Sequence, residues 1–66
     1  MQQAEGIVGL ALRDARLRRG WTLHDLAATT GIDVGTLGQI ERGRRQPSPR
    51  TSNVLRPVFP EIKNIL

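Results

Sequence analysis

Cysteine is absent from this 66-residue chain, and histidine occurs once. Disulfides and thiolate metal sites are therefore excluded, together with the common zinc frameworks. Aromatic residues are nearly absent too: one tryptophan, one phenylalanine and no tyrosine. Proteins that hold single-stranded nucleic acid stack bases on several such rings, so that mode of binding has little to work with. No apolar run approaches the roughly 20 residues needed to span a bilayer. The opening stretch, MQQAEGIVGLALRDAR, has no basic leader and turns polar too early for a secretory signal. The expectation is a cytoplasmic protein without membrane contact. Enzymatic equipment is also missing: there is no glycine-rich phosphate loop and no pair of carboxylates placed for acid–base work. Asp14, Asp25, Asp33 and Glu41 all have capping, pairing or surface explanations. The chain is read as a non-enzyme that needs no cofactor, metal or small-molecule ligand.

What the chain does have is positive charge. Ten basic residues face six acidic ones, a formal net charge of +4, and nine of the ten are arginine. Arginine suits planar, bidentate contact with phosphate or guanine. A solvated basic surface would have the same composition, so charge alone favours a nucleic-acid partner without establishing one. A chain this short forms one domain, residues 1–66, with a modest core.

Helix signals recur along the chain. Residues 7–19, IVGLALRDARLRR, read as a helix with Val8, Leu12 and Ala15 at helical spacing and Gly20 as its stop, preceded by a flexible 1–6. Thr22 then stands at an N-cap with Asp25 three residues on, a variant of the capping box, and Trp21 before the cap can staple onto Leu26. Gly31 supplies a left-handed stop. The same grammar repeats at once: Ile32, then Asp33 as N-cap, Leu37 as staple partner, Ile40 facing inward, and Gly43 closing. Residues 22–43 thus form two short helices around a glycine turn, the helix-turn-helix arrangement. RRQPSPR (44–50) reads as a basic loop, with Ser48 capping a fourth helix and Pro49 at its first position. Pro57 should stop that helix near Arg56 or kink it. Pro60 can start a last short turn. The architecture expected is all-α, a compact domain of four to five helices.

At this point the residues resemble a known family. LRDAR…GWTLHDLAATTGIDVGTLGQIERGRRQP is similar to the lambda-repressor-like, or Cro/C1-type (XRE), helix-turn-helix domains of phage and bacterial regulators. The parts in register are Arg16, Gly20, the Thr-x-x-Asp-Leu-Ala cap, Gly-Ile, Leu-x-x-Ile-Glu-x-Gly and a downstream proline. The resemblance implies a partly buried ion pair between Arg16 and Glu41. It also implies a sequence-specific regulator of transcription, most simply a small repressor on a palindromic DNA operator. The same pattern serves modules of larger regulators, antitoxins and protein-binding adaptors. Leu23 stands where the family often has glutamine, Thr30 where it is usually more apolar, and Gly35 and Gly38 where it usually has longer polar side chains.

In this arrangement the second helix enters the major groove of duplex DNA. Val34, Gly35, Thr36, Gly38 and Gln39 are the candidate base-contacting residues. An amide such as that of Gln39 can pair with adenine, and Val34 can pack on a thymine methyl. Thr22 and Leu23, at the start of a helix with free N–H groups, and Arg42, Arg44, Arg45 and Arg50 are the candidate phosphate contacts. Arg13, Arg18 and Arg19 form a second basic cluster on the first helix. The two interior glycines each cost roughly 0.8–1 kcal/mol of helix propensity. Three reasons stand open: close approach of the backbone to DNA, reading by DNA shape and neighbouring arginines, or avoidance of a clash. Finally, Val58, Phe59, Ile62, Ile65 and Leu66 are the apolar residues available for a homodimer interface, ranked ahead of two alternatives: that they pack back on the core, or that the chain is a fragment of something longer.

Overall fold

The computed structural model describes residues 3–66, with side chains from residue 6 onward. Four α-helices follow one another: α1 (Gln3–Arg18), α2 (Leu23–Thr30), α3 (Val34–Glu41) and α4 (Pro49–Val58). A 3₁₀ segment, Pro60–Ile65, closes the order. The described residues form no strand. Helix α1 begins at Gln3, four residues before the start expected at Ile7, so part of the stretch expected to be flexible is helical; residues 1 and 2 lie outside the described residues.

Each break in the chain has a local cause. Gly20, Gly31 and Gly43 all take the left-handed conformation, with φ of 72°, 74° and 74°, which costs glycine no steric penalty. After α1, the Gly20 N–H donates to Leu17 O and the Trp21 N–H to Arg16 O. After α3, the Gly43 N–H donates to Ile40 O and the Arg44 N–H to Gln39 O. These paired bonds satisfy the helix-end carbonyls in the Schellman pattern. The Thr22 capping box is complete: Thr22 Oγ1 accepts the Asp25 N–H at 3.0 Å, and Asp25 Oδ2 accepts the Thr22 N–H at 2.8 Å. The Thr22 N–H, donating to the carboxylate, and the Thr22 hydroxyl beside it hold the Asp25 carboxyl below the usual carboxylate range.

Helix α4 carries through Pro57 to Val58 instead of stopping at Arg56. A proline that close to the end removes one ladder bond, the one to the Asn53 carbonyl, and Asn53 is exposed to solvent. The next bond, Phe59 N–H to Leu55 O, is made at 2.9 Å. Leu55 and Phe59 are both wholly buried, and burying each stabilises by roughly 1.5–3 kcal/mol, which offsets the lost bond.

The core consists of Leu12 and Ala15 from α1, Leu26 from α2, Leu37 and Ile40 from α3, and Leu55 and Phe59 from the C-terminal part. Val8, Trp21, Ala27, Ile32 and others pack against it. Helix α1 crosses α3 through a glycine absent from the sequence reading. A Cβ on Gly9 would lie 2.3 Å from Ile40 O and 2.7 Å from Glu41 O. Both are main-chain atoms, so the two helices meet only because position 9 has no side chain. Gly9→Ala is therefore expected to destabilise the fold by about 1–3 kcal/mol through overpacking, although alanine is the better helix former. A denaturant midpoint that rises in Gly9→Ala would contradict this packing.

Candidate nucleic-acid interface

Helix α3 is built to show one edge. Asp33 caps it, its Oδ2 accepting the Thr36 N–H at 3.1 Å. Leu37 and Ile40 turn wholly inward. Gly35 and Gln39, one helical turn apart, are exposed, while Val34 and Thr36 are half-buried on either side of that ridge. Gln39 is thus the ridge's only side chain with a hydrogen-bonding head, because Gly35 contributes backbone alone.

The two interior glycines have different reasons. Gly35 is exposed, and a Cβ there would lie 2.9 Å from Asp33 Oδ2, the oxygen that caps the helix. Gly38 is not on the exposed ridge where the sequence reading put it. It is buried, and a Cβ there would lie 3.1 Å from Arg42 Nη1. Arg42 lies across it. Residues at i and i+4 share a helix face, and an arginine is long enough to cover the smaller neighbour.

Two clefts flank the ridge. On one side, Arg13, Arg16, Leu23, Gly38, Glu41 and Arg42 line a volume of about 250 Å³. On the other, Thr30, Ile32, Thr36, Arg45, Arg50 and Thr51 are among the residues around a volume of about 380 Å³. Arg13, Arg42, Arg45 and Arg50 have no acidic partner among the described residues, where the ion pairs are Arg16–Glu41, Arg18–Asp14 and Arg19–Glu61. Each flank of α3 therefore carries two uncompensated guanidinium groups. Arg44 is exposed between α3 and α4.

At the first cleft stands the ion pair implied by the family resemblance. Arg16 Nε donates to Glu41 Oε2 at 2.7 Å, Nη2 to Oε1 at 2.9 Å, and Nη1 to the Trp21 carbonyl at 2.8 Å. Both side chains are more than nine-tenths buried. The hydrogen bonds to Glu41 raise the Arg16 pKa, against the opposing effect of burial. One guanidinium thus ties α1, α3 and the turn before α2 together. Thr22 is exposed at the start of α2, and Leu23 is half-buried. Leu23 packs against the core, so only its main-chain N–H can serve an anion there.

The second basic cluster does not hold together as a unit. Arg18 pairs with Asp14 on the surface. Arg19 is structural: it donates to Glu61, Ala15 O and Val58 O, and its guanidinium lies 4.5 Å from the Phe59 ring centre and 5.7 Å from that of Trp21. Those bonds hold Glu61 below the usual carboxylate range. Only Arg13 of the three reaches the cleft beside α3.

The residues grouped for dimerisation also separate. Phe59 is 0% exposed and belongs to the core, because the chain turns back after α4 and inserts the ring beside Trp21, with centroids 6.0 Å apart. Val58, Ile62 and Leu66 are partly buried against that core. Ile65 is exposed. The larger exposed aliphatics are instead Ile7, Leu10 and Leu17 on α1. Their spacing in the sequence already put them opposite Leu12 on a helical wheel.

Comparison with known proteins decides the family. A family model described as Helix-turn-helix matches residues 12–53, which contain α2, α3 and the capped start of α4. The chain belongs to the Cro/C1-type helix-turn-helix family. This helix-turn-helix domain is 43% identical over 42 residues to the transcriptional regulator ClgR of Mycobacterium tuberculosis, covering 64% of the chain and 38% of ClgR. It is 37% identical over 51 residues to the HTH-type transcriptional regulator SutR of Escherichia coli, covering 77% of the chain and 29% of SutR. It is 45% identical over 42 residues to the uncharacterized HTH-type transcriptional regulator YazB of Bacillus subtilis, covering 64% of the chain and 61% of YazB. The helix-turn-helix domain thus spans well under half of ClgR and SutR. No solved structure matches it. No helix among the described residues is long and apolar enough to cross a membrane.

Proposed function

We propose that this helix-turn-helix domain binds duplex DNA sequence-specifically and regulates transcription, with α3 in the major groove. The observation that carries the reading is the exposed α3 ridge between two clefts, each holding a pair of arginines without acidic partners. A groove-inserted helix needs cations on both of its sides, because a phosphate strand runs along each wall of the groove. Gln39 is assigned to a base edge, with adenine the best match for its amide, and Val34 and Thr36 to neighbouring bases or phosphates. Gly35 lets the backbone approach the bases. Arg42, Arg44, Arg45 and Arg50, with Thr22 and the Leu23 N–H, are assigned to phosphates.

In the finer reading the domain is a repressor in the bacterial cytoplasm and acts as a homodimer on a palindromic operator. Half-sites would then lie about 34 Å apart. Its relatives are named as transcriptional regulators, which favours regulation of transcription on DNA, without bearing on repression or dimerisation, over a protein-binding adaptor.

Selection of bound duplexes from a random pool, with the oligomeric state measured in parallel, tests both levels. Six or so phosphate contacts should give a log–log salt slope near −5. Gln39→Ala should relax preference at one base pair by about 1–3 kcal/mol, whereas Arg45→Ala should weaken all sequences alike and flatten the slope by about one. A purified chain that ignores duplex DNA at low salt and binds a defined protein instead would favour the adaptor.

A further inference from the structure

We propose that Gly38 is a positioning residue: its missing side chain seats the Arg42 guanidinium against α3, aimed at one DNA phosphodiester in the cleft shared with Arg13. The proposal rests on the DNA-binding reading above and goes beyond it in assigning a role to a glycine that touches no DNA.

Gly38 is buried, and what covers it is the guanidinium. A Cβ at this position would lie 3.1 Å from Arg42 Nη1, 3.5 Å from Nη2 and 3.7 Å from Cζ. The group therefore lies across the bare Cα, on an arginine that is otherwise exposed at the edge of the cleft. A long arginine side chain free in water samples many rotamers, and fixing it before the ligand arrives reduces the ordering cost of binding.

The surroundings decide what the seated group is for. Glu41 is the one carboxylate on this cleft. It is already held by two hydrogen bonds from Arg16, at 2.7 and 2.9 Å. Arg16 spends its remaining reach on the Trp21 carbonyl. These two charges cancel, and Arg13 and Arg42 are left facing the same volume with no acidic partner among the described residues. Two guanidinium groups converging without a counter-charge suit an anion with paired oxygens, and a phosphodiester supplies them in the geometry of the guanidinium fork.

An alanine at position 38 would press on the far end of a flexible side chain, not on backbone. The guanidinium would be pushed off its seat by a few tenths of an ångström while the helix stayed intact. Alanine is also the better helix former, so stability and DNA binding should move in opposite directions.

The test compares the unmodified chain with Gly38→Ala, Arg42→Ala and the double variant on a 20-base-pair duplex of arbitrary sequence over a range of salt. Thermal melting is recorded for each protein. Arg42→Ala is expected to flatten the log–log salt slope by about one, the equivalent of one phosphate contact, and Gly38→Ala, which shifts the group without removing its charge, by a measurable part of that. The double variant should bind like Arg42→Ala alone, and Gly38→Ala should melt no lower than the unmodified chain. An unchanged slope in Gly38→Ala, or losses that add in the double variant, would overturn the seat while leaving the DNA reading in place. Failure of the unmodified chain to bind the duplex at low salt would overturn both.

Discussion

Glu41→Ala is expected to remove most of the stability of this domain. The substitution leaves the Arg16 guanidinium more than nine-tenths buried without the two carboxylate oxygens that accept from it. Breaking one partner of a buried ion pair costs about 3–5 kcal/mol. A chain of this length has a total stability of about 3–10 kcal/mol. The melting temperature should therefore fall by at least about 12 °C, given about 4–8 °C per kcal/mol for domains of this size. The joint replacement Arg16→Met with Glu41→Leu should recover much of that loss, because no uncompensated charge then remains inside. It should not recover all of it, since the Trp21 carbonyl loses the donor it has at 2.8 Å. Thermal melts of the three proteins decide the matter. A Glu41→Ala protein that melts within about 4 °C of the original would show that water compensates the pair.

Phe59→Ala is the second large effect, and its form separates a core role from an interface role. The ring is wholly buried. Beside it are the Trp21 ring and the Arg19 guanidinium. Truncating a core phenylalanine costs about 3–5 kcal/mol. Because the ring packs within its own chain, the loss should be the same at every protein concentration. The 3₁₀ segment should loosen as well, since Ile62 N–H donates to Phe59 O at 3.1 Å. Hydrogen exchange at Ile62 should speed up accordingly. A loss of stability confined to high concentration, where a dimer would form, would return Phe59 to an intermolecular surface.

Much of the fold was legible because its signals are local. Thr22 with Asp25, Asp33, Ser48 with Pro49, and the three left-handed glycines act over two to five residues, and each satisfies helix-end groups that have no other partner. The inward positions Leu12, Leu26, Leu37 and Ile40 follow from helical spacing in the same way. The exposure of Gln39 and the basic strip after α3 were also available at this range.

Other assignments depended on which segment lies against which. Phe59 reads as an interface residue or a core residue until the chain turns back onto Trp21, and Arg19 reads as a free cation until Glu61, 42 residues away, meets it. Gly9 is an unremarkable helix-weakening residue until the Ile40 and Glu41 carbonyls occupy the space its side chain would need. Gly38 sits on what the helical wheel marks as an open edge, and only the path of Arg42 covers it. By itself, then, the sequence determined where the helices start and stop, which faces are apolar and to which family the pattern is similar, because caps, turns and periodicity act between near neighbours. The tertiary structure alone decided that Arg19 is engaged by Glu61 and that Arg13, Arg42, Arg45 and Arg50 face clefts without an acidic partner among the described residues, because those outcomes depend on segments that meet across space and not along the chain.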